Sequence, residues 1–169
     1  MTREKTWGVV FFRGLLFIGV PLLGWYLYNH YEIVALAAEE DGMTREPRDP
    51  YAPGSSVLVD LRPDKIWGGD LVLFRLPESE DFRIARVHGV GGDKLEMGPK
   101  GLQVNGATVL RGKDPFALLS EETLQLKMIP PERFLLFNDN IHSLRKDSRE
   151  LGLISAEWVF GRVVRPWPW

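Results

Sequence analysis

Apolar and polar positions divide the chain into two unlike stretches. From Trp7 to Tyr28 the sequence WGVVFFRGLLFIGVPLLGWYLY runs for 22 residues with one charge, Arg13. Apolar residues fall on every face, so the pattern predicts a helix with no polar side to turn toward water. At the helical rise such a stretch is roughly 33 Å long, about the hydrocarbon thickness of a bilayer. Pro21 would kink it without preventing insertion. Ile33 to Ala38 extends the helix in this reading, and Glu39-Glu40-Asp41-Gly42 stops it, because acids oppose the negative helix C-terminus. The segment MTREPRDPYAPG (43–54) carries three prolines and is expected as an extended loop.

From Ser56 onward the period changes to that of β-strands. Strands are expected at 57–61, 70–76, 82–90, 94–97, 102–110, 124–129, 133–138 and 158–164. Asn105-Gly106 between two short alternating runs is a tight-hairpin signal. An irregularity is expected near Arg86. The inward set should include Val57, Val59, Leu71, Leu73, Ile84, Val87, Val104, Phe134, Leu136 and Val159. The fold class is mainly β, a barrel or coiled sheet behind one N-terminal helix. The domain plan is a tail at 1–6, a membrane anchor at 7–28, a neck and loop at 29–52, and a β domain at 53–169.

Charge gives the anchor a direction. Arg3, Lys5 and Arg13 against Glu4 leave +2 on the N-terminal side, and residues 29–60 hold two arginines against seven acids, a net of -5. The positive-inside rule places the N-terminus in the cytoplasm and the β domain outside, at a bacterial-type cytoplasmic membrane. Trp7, Trp25, Tyr26 and Tyr28 sit where interfacial aromatics gather. The rival is a cleaved signal peptide with its site at Ala35-Leu36-Ala37; the polar gap Asn29-His30-Tyr31-Glu32 and the length of the apolar run favour a retained anchor.

Composition then removes function classes. The whole chain has 169 residues, 21 basic and 23 acidic, a formal net charge of -2, which argues against a nucleic-acid partner. With no cysteine, disulfides, thiolate metal sites and cysteine nucleophiles are excluded. His30, His88 and His142 have no metal-ligand spacing, and no cofactor or metal is expected.

The order of segments resembles type I signal peptidases, the membrane-anchored serine proteases that remove signal peptides with a Ser/Lys dyad. Ala52-Pro53-Gly54 before Val57-Leu58-Val59 is similar to the segment after the family's nucleophile. Gly69-Asp70-Leu71-Val72-Leu73-Phe74 matches its G-D-[IV]-V-x-F strand. Arg86-Val87-His88-Gly89-Val90-Gly91-Gly92-Asp93 is similar to its K-R-V-x-G-x-P-G-D box, and Leu102 to Gly106 to the hairpin that follows. FLLFNDNIHSLRKDSRELG (134–152) is similar to the G-D-N-x-x-x-S-x-D-S-R-x-x-G box, and Gly161-Arg162-Val163 to the closing strand.

The resemblance implies a serine at the start of an S-M-x-P motif and a lysine kept neutral by desolvation to take its proton. Both places depart from that pattern. Counting back from Pro53-Gly54, the serine position falls near Glu46. The nearest look-alike is Thr44-Arg45-Glu46-Pro47, and a second option is Asp49-Pro50. No serine stands between Met1 and Ser55. At the lysine position stands Ala85, and the neighbouring Arg86 cannot act as a base. His88, where a related branch would need a histidine at position 85, is expected to be an exposed strand residue on the opposite face. His142 is expected in a solvated loop. Asn138 replaces the first glycine of the G-D-N box.

The groove and its bracing box are expected to be built from Tyr51, Arg86, Asp139, Asn140, Ser143, Asp147, Ser148 and Arg149. In the family, the aspartate and arginine of D-S-R brace the site, and the earlier serine, here Ser143, touches the lysine amine. Without that lysine, Asp147 and Arg149 hold a loop against the sheet, and Asp139-Asn140 form a turn. The function so read is non-catalytic: a membrane-anchored protein that binds an extended peptide or a secreted or surface protein, in a chaperone-like or assembly role. The alternatives are an active signal peptidase using Thr44 with an unidentified base, and a structural subunit of a larger membrane complex. Trp67, Trp158, Trp167 and Trp169 supply aromatic surface for contact with the bilayer or such a partner.

Overall fold

A computed structural model describes residues 4–44, 50–98, 101–110, 125–140, 142–143 and 145–167; the side chains of 4–15 and 167 are outside the description. Helix α1 covers Glu4–His30 and carries Pro21 in its interior. Leu16, Phe17, Ile18, Val20, Leu22, Leu23 and Trp25 are all exposed on it. Among the described residues, no helix is long and apolar enough to cross a membrane.

The rest is built of strands. β1 is Tyr31–Ala35, β2 Ser56–Asp60, β3 Leu71–Phe74, β4 Arg83–Val90, β5 Leu95–Gly98, β6 Gly101–Val104, β7 Ala107–Leu110, β8 Arg133–Phe137, β9 Ile154–Ser155 and β10 Val159–Trp167. A four-residue helix, α2, spans Ser148–Leu151. Seven strands form one antiparallel sheet in the order β1-β2-β10-β3-β4-β8-β9, and β5-β6-β7 form a second. The fold is mainly β, as two antiparallel sheets; no pairing among the described residues joins β1 to β9 into a barrel.

Two expectations are corrected. Residues 31–35 form an edge strand, paired from Tyr31↔Asp60 to Ala35↔Ser56, and do not extend the helix. The run YEIVA is short and β-branched, and β2 offers a partner edge, so sheet pairing overrides helical continuation. Of the strand expected at 124–129, Leu124 lies outside the described residues and 125–129 make no strand; the segment is held by the bridge Lys94↔Met128, with the Leu95 N–H donating to the Lys127 carbonyl and the Ile129 N–H to the Asp93 carbonyl, each at 2.9 Å. Ile129 is nevertheless fully buried.

Three apolar clusters fix the layers. β3 lies mid-sheet and all four of its residues are buried, so polar alternation is absent there. Leu71 and Leu73 join Val57, Val59 and Ile84 on one face. Val72 and Phe74 join Ala85, Val87, Leu136 and Ile154 on the other. The small sheet packs Leu95, Leu102 and Val104 on Leu135 and Phe137. Eight of the ten expected inward residues are buried, and Phe134 and Val159 are half-buried against the second face. The hairpin falls at Asn105-Gly106, with φ of 49° and 82°, the two positive values a mirror-image turn requires. At Gly161 an added Cβ would collide with the Asp60 carbonyl, so only glycine lets β10 approach β2 there.

Candidate functional site

The site is the end of β8 and the chain that folds over it. After Phe137 the strand stops being apolar, and Asn138 to Arg149 run as a loop into α2. Asp147 organises this loop. It caps α2, accepting from the Arg149 backbone N–H at 2.9 Å, while Glu150 returns a bond to the Asp147 N–H at 3.1 Å. Its Oδ2 also accepts from the Asn138 backbone N–H at 2.7 Å and pairs with the Arg149 guanidinium at 2.8 Å. Asp147 is fully buried. The Asp147 hydrogen bond holds Arg149 above the usual arginine range. Ser148, also fully buried, accepts from the Leu136 N–H at 2.9 Å. Both residues therefore tie the loop to β8 through its backbone.

Arg86 and Asp139 make a second brace. The guanidinium meets both carboxylate oxygens, at 2.9 and 2.7 Å, and reaches the Gly69 carbonyl at 2.9 Å. This bidentate bond raises Arg86 above its ordinary value. Asp139 thus joins β8 to β4 and does not serve only a local turn. Asn140 does both: its Oδ1 accepts from the His142 N–H at 3.0 Å, and its Nδ2 reaches the Asp41 carbonyl at 3.1 Å. Ser143 Oγ donates to the Asp41 carboxylate and accepts from the Arg145 N–H at 3.0 Å.

Residues 39–44 cross this loop from the other side. The Asn140 N–H donates to the Gly42 carbonyl at 2.9 Å. Met43 is buried in the first core face, beside the half-buried Tyr51. The Thr44 hydroxyl donates to the Tyr51 carbonyl at 3.3 Å. Glu46 and Asp49 lie outside the described residues. Glu40 is fully buried, accepts from the Gly42 N–H at 3.0 Å, and lies 4.0 Å from the Arg145 guanidinium. Burial pushes its carboxyl up to about 7, against the lowering pull of the Gly42 N–H, Arg145 and Arg83. A Cβ on Gly42 would stand 2.8 Å from Asn138 Oδ1 and 2.8 Å from Glu40 Oε1. The space a residue-42 side chain would occupy is filled by Asn138 and Glu40.

Ala85 is fully enclosed among Val72, Phe74, Val87 and Leu136, so it packs the core and does not form an open groove wall. The irregularity expected near Arg86 lies two residues on: β4 pairs Val87↔Leu136 and Gly89↔Leu135, leaving His88 as the extra residue. His88 is half-buried, with its ring 5.2 Å from Phe137, which corrects its reading as an exposed residue. Burial lowers its pKa. His142 is exposed. Trp67 is exposed beneath the Lys65 ammonium, 3.8 Å from its ring, and Trp158 is half-buried. The Trp167 side chain and Trp169 lie outside the described residues.

Sequence reasoning passed over Glu40, Gly42, Arg83 and Arg145. One signal was available: Gly42-Met43 keeps the methionine of S-M-x-P, two residues before the Thr44 look-alike. In that register glycine would stand where the motif has serine. Nothing in the sequence pointed to Glu40, because an acid beside two others reads as solvated.

Both chemistry and scaffold can be compared with known proteins. The family model for "Signal peptidase, peptidase S26" matches residues 33–169. The chain belongs to that family. It is 31% identical over 144 residues to signal peptidase IB of Staphylococcus aureus, in strains Mu50 and N315 alike, covering 73% of this chain and 74% of theirs. A crystal structure of a signal peptidase I from Enterococcus faecalis matches with a TM-score of 0.43 and 20% identity, over 58% of this chain and 96% of that one.

Proposed function

We propose that this protein is a non-catalytic member of the signal peptidase family that binds an extended peptide or partner protein at the outer surface of a membrane. The observation that carries the reading is Ala85, a methyl group closed inside apolar packing where the family places its proton-accepting lysine. A hydroxyl without a base is a poor nucleophile. Gly42 supports the same reading, because the space beside it holds the Asn138 and Glu40 side chains. The two substitutions fit together: the glycine of the G-D-N box has become Asn138, and a glycine now faces it. Thr44 is a weaker nucleophile candidate, since its hydroxyl proton is committed to the Tyr51 carbonyl.

Membrane attachment rests on residues 7–28 within α1, whose apolar side chains from Leu16 onward are exposed. In this reading the anchor is retained, the N-terminus is cytoplasmic, and the β domain works on the far side. A role in secretion or surface assembly follows from binding without cutting. The test is incubation of the detergent-solubilised full chain with a preprotein. The preprotein is expected to co-elute uncut. Cleavage by the wild type, abolished by Thr44→Ala, would make this an active peptidase.

A further inference from the structure

One cavity stands apart from the braces described above. It has a volume of about 630 Å³ and opens between the β3–β4 turn and α2. Leu76, Leu151 and Trp158 form an apolar wall, and Arg83, Arg145 and Lys146 form a cationic one. The lining also includes the acid Glu78. Arg83 opens β4 two residues before Ala85, so both lie on one face of the strand.

The two guanidinium groups are incompletely satisfied. Arg83 Nη1 donates to the Lys146 carbonyl at 3.3 Å, but its buried Nε has no hydrogen-bond partner among the described residues. Arg145 Nε donates to the Glu39 carbonyl at 3.1 Å, yet its buried Nη2 also lacks one. The carboxylates near Arg145 stand off, with Glu39 at 3.5 Å, Asp81 at 3.9 Å and Glu40 at 4.0 Å. None closes the two-point fork a guanidinium favours. Burial pulls the Arg83 guanidinium below its ordinary value, and the neighbouring Arg145 adds to this.

We infer that this cavity binds the free C-terminal carboxylate of a peptide that ends in an apolar residue. The inference rests on the peptide-binding reading and names its ligand class. A C-terminal residue brings a carboxylate and a side chain from a single Cα. That pair matches a lining that holds both cationic and apolar side chains. An internal aspartate or glutamate offers the charge without the apolar group on the same residue. The exposed Lys146 ammonium is the accessible donor to the carboxylate, and the Arg83 and Arg145 guanidinium groups, whose unpartnered N–H atoms are themselves buried, add positive charge behind it. Leu76, Leu151 and Trp158 take the side chain.

The test uses full-length protein in detergent and three fluorescently labelled short peptides. One ends in leucine as the free acid, one is the same peptide as its amide, and one is the amide with an internal glutamate. Anisotropy should show the acid binding at least about tenfold more tightly than either amide, the usual worth of a charge-assisted bond. Arg83→Gln and Lys146→Gln should each shrink that preference while leaving amide binding in place; circular dichroism checks that each variant is folded. Equal binding of acid and plain amide would overturn the inference and leave the peptide-binding reading standing. A glutamate amide as tight as the acid would overturn the C-terminal assignment. Absence of binding to all three would overturn both.

Discussion

The loop 138–149 and the segment 39–44 close over the same end of β8, yet they are built on opposite terms. In the loop, the fully buried carboxylate and hydroxyl are answered, although Arg145 Nη2 is not. Asp147 meets two backbone N–H groups and a guanidinium, and Ser148 meets one N–H. In the crossing segment, Glu40 is buried with one oxygen bonded to Gly42 and the other without a hydrogen-bond partner among the described residues. The loop keeps the family's D-S-R because those side chains hold backbone in place. In the non-catalytic reading, Gly42 and Ala85 stand at the two dyad positions, and neither side chain holds backbone in this way. The difference separates residues a fold requires from residues a reaction requires.

The hardest test of this contrast is to put the amine back. Ala85→Lys would bury an ammonium among Val72, Phe74, Val87 and Leu136. A fully buried lysine shifts by about 3–5 pKa units, a cost of about 4–5 kcal/mol at pH 7, where releasing the proton of a free lysine sets the ceiling. Desolvation lowers the lysine pKa in the fold, so this penalty should fade as pH rises toward 10, visible in urea midpoints across pH. No cleavage of a preprotein should appear, because the paired groups act as a unit and residue 42 still has no hydroxyl. A variant as stable as wild type at pH 7 would mean that the site around 85 is open after all.

Next in size is the brace. Asp147→Ala removes the cap of α2, the acceptor for Asn138 and the partner of Arg149 in one step. Loss of one partner of a buried pair costs about 3–5 kcal/mol, a large share of a domain's stability. Chemical denaturation of the purified protein measures it. A loss under about 1 kcal/mol would remove the distinction between scaffold and chemistry on which the contrast rests.

Much of this scaffold was legible in the sequence, for physical reasons that differ by element. Asn105-Gly106 announced its turn because two adjacent positive φ values suit few other residues. β3 and β4 were found because their apolar period and glycine boundaries are local signals. β1 was missed because its identity comes from β2, 29 residues away by the register Tyr31↔Asp60, and helix continuation was the nearer explanation. α2 was missed because four residues carry no period; only the capping pair Asp147 and Glu150 marks it. At the site, Ala85 and Asn138 were readable as departures from a motif. Glu40 was not, since the charges that act on it, Arg83 and Arg145, are distant in sequence.

Glu40 gives the third prediction, and its sign follows from the direction of the shift. Its folded pKa is raised from 4.5 to about 7. The fold therefore retains a proton that the unfolded chain has already released. The associated stability is fully present below about pH 4.5 and is lost as pH rises through about 7, a change of about 3 kcal/mol. Glu40→Gln carries no such charge and should flatten that part of the profile, leaving the variant more stable than wild type at pH 8 and little changed at pH 5. Thermal melts at the two pH values decide it. A variant equally destabilised at both would mean that Glu40 works as a charged partner of Arg145.

The smallest effect is expected at Thr44, and its smallness is the point. Thr44 is half-buried, and its hydroxyl makes a long bond of 3.3 Å to the Tyr51 carbonyl. Removing it costs about 0.5 kcal/mol, the low end for a neutral hydrogen bond, because water can reach a half-buried carbonyl in its place. Thr44→Ala should therefore bind peptide as wild type does and melt within a degree or two of it. A nucleophile would behave otherwise: its loss would leave stability untouched and abolish turnover. Measuring preprotein cleavage and melting temperature on the same variant separates the two roles. Unchanged binding with no cleavage in either protein places Thr44 on the scaffold side of the contrast. Loss of a wild-type cleavage activity would move it to the other, with His88 the imidazole to examine next, half-buried at the β4 bulge.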